Sequence, residues 1–215
     1  MKVLVACEES QVVCSAFRAR GHEAYSCDIL PTRGAHPEWH IQGDVMKHLN
    51  DGWDIMIGHP MCRTLCNSGV RWMKNEDGSL NAHRSFECIN DGTFFEILLG
   101  ENSPVHNIPR VCVENSIPHK YAYSPFGAIR RKYDQIIQPW WFGNFGENET
   151  KATCLWLKNL PKLVKVNPLS EPHNHSVHLM APGPNRARDR AITFRGIAEA
   201  MAEQWGNLDK QEPHP

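Results

Sequence analysis

Residues 2–7 (KVLVAC) form a short, unbroken apolar run rich in β-formers, which predicts a buried strand. From residue 10 to residue 20 the period changes: Val12, Val13, Ala16 and Phe17 fall at helical spacing, and Gly21 supplies the stop. Residues 23–29 (EAYSCDI) return to a strand with Asp28 near its end. A short apolar pair leads to Gly43 and Asp44, and residues 45–49 suit one or two helical turns. Residues 53–58 (WDIMIG) read as another buried strand. A polar stretch over 60–81 follows, then a helix from about 84 to 99 and a strand at 110–113 (RVCV) that ends at Glu114 and Asn115. Residues 133–141 and 151–160 predict two more strands, an antiparallel pair within a small strand-and-loop insertion over about 134–190. Residues 161–190 are rich in Pro, His and Asn, show no period and read as loop. The segment 192–206 closes the chain with an amphipathic helix, periodic over 193–205, whose small-residue face carries Ala198, Ala200 and Ala202.

Strands alternating with helices predict an α/β protein: one domain over 1–215, built on a Rossmann-like, doubly wound, mostly parallel sheet. Ligands of such sheets sit beyond the carboxyl ends of the strands. The residues brought there are Cys7, Glu8, Ser10, Asp28, Asp44, His59, Pro60, Cys62, Glu114 and Asn115, a set dominated by acidic, polar and nucleophilic groups.

Composition narrows the classes. A length of 215 residues suits one domain better than two, and 41% hydrophobic residues are enough for a substantial core. No run approaches the roughly 18 to 20 apolar residues of a membrane span, so no membrane partner is expected. The opening MKVLVACEES passes straight into acidic residues, unlike a secretory signal. Eight cysteines are too scattered for a disulfide scaffold, and Cys7, Cys27, Cys112 and Cys154 lie in apolar runs as small hydrophobes. A reducing cytoplasm is the expected location. The net charge of -1 and a pI of about 6.9 exclude coating of nucleic acid by bulk charge, leaving local patches to decide. Three exist: Arg130, Arg131 and Lys132; Lys158, Lys162 and Lys165; Arg186, Arg188, Arg190 and Arg195. Each also suits an ordinary solvated face.

The candidate chemistry lies at the strand ends. An acid after the second strand, Asp28, can accept from both ribose hydroxyls of a nucleoside cofactor. Asp44 is placed to accept from an adenine amino group. Both also suit helix N-caps. The first loop, Cys7-Glu8-Glu9-Ser10-Gln11, contains no glycine, which counts against a dinucleotide whose phosphates need close backbone approach. In WDIMIGHPMCRTLCNSG a buried strand delivers Cys62 onto a loop, where a thiolate is a carbon nucleophile and Arg63 and Arg71 are candidates to lower its pKa. Glu114, after the next strand, can hold a nucleobase ring nitrogen, as a proton donor if the site is dry.

This order of features resembles the cytosine-5 DNA methyltransferases: the acid at Asp28, Gly43-Asp44, Gly58-x-Pro60-x-Cys62, Glu114-Asn115, Gln138 and a closing helix. The chain is most similar to short phage-type members, sharing the flavour of CNSGVRW, KATCLWLKNLP and GIAEAMAEQW over nearly its full length. The resemblance implies an S-adenosylmethionine-dependent methyltransferase type of sheet with a reduced target-recognition region, and a DNA substrate, duplex or single-stranded, flipped out of the stack if duplex. It implies Cys62 adding to carbon 6 of cytosine, Glu114 holding the ring, Pro60 shaping the Cys62 loop and Asn115 fixing the loop that bears Glu114. The cofactor would meet Cys7, Glu8, Ser10, Asp28, Asp44 and His59. The nucleic acid would meet Arg63, Arg71, Gln138, Arg188 and Arg190.

The chain departs from the family at Pro60-Met61-Cys62, where the family has Pro-Pro-Cys, and at the glycine-free first loop. The family's Gln-x-Arg-x-Arg reads Gln138-Pro139-Trp140-Trp141-Phe142, without its arginines, and only about fifty residues separate Gln138 from the closing helix. Two other readings stay open. A zinc site has candidate ligands in His59, Cys62 and Cys66, and in His173, His175 and His178. A degenerate member would bind without turnover, with Trp140, Trp141 and Phe142 either stacking bases or packing the core.

Overall fold

The structure, a computed structural model, describes residues 1–101 and 105–208. Seven strands form one mixed, mostly parallel sheet: β1 (Lys2–Ala6), β2 (Glu23–Asp28), β3 (His40–Gln42), β4 (Ile55–Gly58), β5 (Arg110–Ser116), β6 (Gln135–Ile137) and β7 (Thr153–Lys158). Their order is β3-β2-β1-β4-β5-β7-β6, with β7 antiparallel to both neighbours. The helices are α1 (Val12–Ala19), α2 (Ala82–Leu99), α3 (Ser176–Leu179), α4 (Arg186–Ala191) and α5 (Arg195–Gly206). No described helix is long and apolar enough to cross a membrane.

The continuous apolar runs of β1 and β4 follow from burial on both faces. Successive residues alternate between two core layers. Leu4, Ala6 and Met56 pack with Cys88, Phe95, Leu98 and Leu99 of α2. Val3, Val5, Ile55 and Ile57 pack with Val13, Ala16 and Phe17 of α1 and Ile197, Met201 and Trp205 of α5. The small-residue face of α5 is buried, and α1 lies against it. Gly21, at φ 80°, and Gly100, at φ 65°, take left-handed conformations just past the ends of α1 and α2, where an L side chain would be strained.

Several elements differ from the sequence reading. The run at 133–141 is a strand only to Ile137, because Pro139 begins a 3-10 turn over Pro139–Trp141. Glu114 and Asn115 lie inside β5, which extends to Ser116 because β7 pairs with it through Leu155, Cys154 and Thr153. Residues 40–42 form a strand too short to show a period. The stretch 161–190 contains α3 and α4, helices of 4 and 6 residues that offer no local pattern.

The sheet order reverses between β1 and β4, whose partners on the far sides are β2 and β5. That reversal opens a crevice where the loops after β1 and β4 diverge.

Candidate active site

The loop after β1 takes a glycine-like path without glycine. Cys7 and Gln11 both sit at φ 60°, the left-handed region that costs a non-glycine residue roughly 1 kcal/mol or more. The amides of Cys7 and Glu8 both reach Cys27 O of β2, which holds the bend. Gln11 offers α1 no side-chain cap; the Glu8 carboxylate does that work, accepting from Val13 N at 2.7 Å and Cys14 N at 3.2 Å. A carboxylate complements a helix N-terminus. It also occupies the position at which a phosphate would be received, which explains why the first loop can dispense with glycine. Burial raises the Glu8 carboxyl, with His59 and these amides opposing.

Asp28 ends β2 and accepts from Leu30 N at 2.9 Å, so it is not a helix cap. Asp44 does cap the 3-10 turn Val45–Lys47, accepting from Met46 N at 3.0 Å. Both acids act on Cys7, whose thiol is pushed up to about 12 by burial first and then by Asp28, Cys27 and Asp44. The acidic pair therefore lies beside the end of β1.

Beyond β4, Pro60 leads into the turn that carries Cys62. The amides of Leu65 and Cys66 both donate to Cys62 O, at 3.1 and 3.0 Å, so Cys62 and Cys66 stand one helical turn apart on one side. The turn is tied to the segment after β5: Asn67 N reaches Ile117 O, His119 N reaches Leu65 O, and the buried His119 Nε2 donates to Thr64 O at 2.6 Å. The two thiols are hydrogen-bonded to each other. Cys66 is the one lowered, by the Cys62 thiol and then by the Ser68 hydroxyl at 3.0 Å and the amides of Gly69 and Ser68. Cys62 is raised, by Cys66 first, then by burial and the charge of Glu114; Lys151 opposes. The cation acting on Cys62 is Lys151, not the anticipated Arg63 or Arg71. Arg63 is drawn to Glu87 at 3.4 Å and Arg71 lies over the Trp72 ring at 4.6 Å.

Glu114 projects from β5 toward His59, with His59 Nδ1 and Glu114 Oε2 3.1 Å apart. Burial alone would raise Glu114, yet it is lowered from the usual carboxylate value, because the hydrogen bond from His59, the charges of Lys151 and His59, and a hydrogen bond from Thr153 together outweigh burial. Three buried polar atoms around this pair have no partner: His59 Nε2, Asn115 Oδ1 and Asn115 Nδ2. An unsatisfied buried polar atom costs about 1–3 kcal/mol, so these atoms, on two residues that line the same cavity, leave hydrogen-bonding capacity open to a polar ligand.

All the anticipated site residues except Asp28 and Asp44 line one cavity of about 1060 Å³. Cys7, Glu8 and Ser10 form one wall, and His59, Pro60, Cys62, Glu114 and Asn115 form the floor. Around the mouth stand Arg63, Arg71, Gln138, Arg188 and Arg190, joined by Arg33, Arg84, Lys151 and Arg186. Arg188 bridges to Glu9, and Arg33 pairs with Glu9 at 2.8 Å and with Asp189 at 2.8 Å, so α4 is strapped across the β1 loop. Gln138 accepts from Lys151 N at 2.9 Å, holding the start of β7 at the rim.

Sequence reasoning missed Lys151, Thr153 and Arg33, and it joined Cys66 to Cys62 only as a candidate zinc ligand. The register of the anticipated strand pair offered one signal, since residues just before β7 face the end of β5. The aromatic run divides: Phe142 is buried in the core, while Trp140 stacks on His173 with ring centroids 4.4 Å apart. Among the described residues no three His, Cys, Asp or Glu side chains converge on a point that would hold a metal. No protein-family model matches the chain, and no curated protein matches it either.

Proposed function

We propose that the protein transfers a methyl group from S-adenosylmethionine to carbon 5 of cytosine in DNA, through a covalent adduct at Cys62. One observation carries this reading: a loop thiol after β4 and a buried carboxylate on the adjacent β5 act on each other across the floor of a single cavity, beside three unpartnered polar atoms. A nucleophile and a ring-holding acid on neighbouring strand ends are what pyrimidine activation needs. The strand order, reversing between β1 and β4, is compatible with the Rossmann-like sheet of that enzyme class.

The Cys62 sulfur adds to carbon 6, and Glu114 holds the ring nitrogen and exocyclic amine as carbon 5 becomes nucleophilic. Loss of the carbon-5 proton then expels the sulfur. The bound cofactor supplies an electrophilic methyl group. Asp28 and Asp44 lie outside the cavity lining but act on Cys7 at its edge, and would offer acceptors for ribose hydroxyls and an adenine amine there, while Glu8 caps α1 where a phosphate would otherwise sit. Arg63, Arg71, Arg190 and Gln138 would receive the strand, with Arg188 exchanging Glu9 for a phosphate.

A second reading, binding of nucleic acid without turnover, is favoured by the same thiol pair, since the contact with Cys66 raises Cys62 and so works against its thiolate. Nucleoside mass spectrometry separates the two. Duplex and single-stranded DNA incubated with protein and S-adenosylmethionine are expected to yield 5-methyldeoxycytidine, and Cys62→Ala is expected to yield none while retaining cofactor affinity. Product from Cys62→Ala would remove Cys62 from the mechanism. No product from the wild-type protein on either DNA, with binding intact, would establish the second reading.

A further inference from the structure

The residue between Gly58 and Pro60 has a place in the site that its position in the motif does not explain. His59 stands at the end of the central strand β4, flanked by a buried carboxylate on each side: Glu114 of β5, hydrogen-bonded to its Nδ1 at 3.1 Å, and Glu8 of the β1 loop, whose charge His59 also feels. Its Nε2 is buried, has no partner, and belongs to a residue lining the cavity. That nitrogen is not engaged with Cys62, so the three residues do not form a thiol-hydrolase triad. An ionised Glu114 only accepts hydrogen bonds, so the hydrogen between the two side chains resides on His59 Nδ1.

Resting on the methyl-transfer reading, we propose that His59 is a positioning residue that holds the proton Glu114 passes to the cytosine ring nitrogen. An ionised carboxylate cannot by itself protonate that nitrogen. In the proposed sequence the Cys62 thiol gives up its proton, a cavity water carries that proton to Nε2, and the Nδ1 proton moves to Glu114 Oε2. Glu114 gives a proton to the ring nitrogen as the Cys62 sulfur bonds to carbon 6. After methylation the carbon-5 proton leaves to solvent, the carbon–sulfur bond breaks, the ring-nitrogen proton returns through Glu114 to Nδ1, and the Nε2 proton returns through water to the Cys62 sulfur. Protons are conserved, and no redox partner is needed. The other groups facing the pair are Lys151, ahead of β7, which acts on Glu114 and Cys62; Thr153 of β7; and the thiols of Cys62 and Cys66.

The test compares His59→Gln and His59→Asn with the wild-type protein in methyl transfer to an oligonucleotide across pH. Gln cannot reach Glu114 from the Nδ1 position. Asn can, and so keeps a hydrogen bond to Glu114 while carrying no titratable proton. His59→Gln is expected to lose about a hundredfold in kcat with KM changed less than about threefold. His59→Asn is expected to match the wild type in thermal stability and KM, stay at least about tenfold low in kcat, and lack the fall in rate with rising pH that the proposal requires of the wild type. A His59→Asn protein with wild-type kcat, or with a lowered kcat that keeps the wild-type pH profile, overturns the proton-holding role and leaves methyl transfer standing. A wild-type protein that makes no 5-methyldeoxycytidine overturns both together.

Discussion

Gly69 lies in the 3-10 segment Asn67–Met73, three residues after the thiol that is hydrogen-bonded to Cys62. Its amide donates to Cys66 O at 2.9 Å and also supports the Cys66 sulfur. A Cβ added there would stand 2.1 Å from Arg63 O and 3.3 Å from Arg63 C. Contact between such atoms needs roughly 3.5 Å, so one side of the turn must move by more than about 1 Å. Both sides are backbone, and both flank the Cys62–Cys66 turn, so no flexible side chain can absorb the change. Overpacking of this kind costs about 1–3 kcal/mol, and at this chain length each kcal/mol lowers Tm by about 2–4 °C. Gly69→Ala is therefore expected to melt about 2–12 °C below the wild type. A displacement of about 1 Å at a reacting group also costs on the order of a hundredfold in rate. Calorimetry reads the first effect, and the rate of Cys62 alkylation by iodoacetamide, followed by peptide mass spectrometry, reads the second without presuming an activity. A Gly69→Ala protein with wild-type Tm and wild-type Cys62 alkylation would refute the argument that this close approach sets the thiol geometry.

The thiol pair itself predicts that Cys66→Ala, by removing the foremost cause of the raised Cys62 thiol, shifts Cys62 alkylation to lower pH; an unchanged or slower rate near pH 7 would contradict it. Glu114 has a folded-state pKa below its ordinary value of 4.5, so its contribution to stability is present above about pH 4.5 and lost as pH falls through the folded value. The stability advantage of the wild type over Glu114→Gln in urea should narrow between about pH 6 and about pH 3.5, and a widening gap would reverse the sign of the reasoning. Glu9→Gln removes the acid that holds Arg188 and Arg33, so amide exchange over residues 186–191 should quicken; unchanged protection would show that α4 does not depend on the strap.

Much of the scaffold was legible because its signals are local. The apolar runs of β1, β2 and β4, the helical spacing of α1 and the stop at Gly21 are properties of neighbouring residues, and burial on both faces of a parallel sheet demands them. The anticipated pairing of β6 with β7 was likewise readable, as was the arrival of His59 and Cys62 just past β4, whereas Glu114 lies inside β5 because β7 extends the pairing. Short elements were not. The 4 residues of α3 and 6 of α4 cannot sustain a helix alone, since nucleation is unfavourable and contacts with the rest of the protein must offset it.

The sequence by itself determined which side chains reach the carboxyl edge of the sheet, because strand ends and the turns after them follow from periodicity. Only the tertiary structure decided what those side chains do to one another. The strap from Arg188 to Glu9 joins residues 179 positions apart, and the contact of His59 with Glu114 spans 55. Lys151 acts on Cys62 only because β7 runs antiparallel beside β5. Protonation depends on burial and on charges a few ångströms away in space, and chain order carries no record of either.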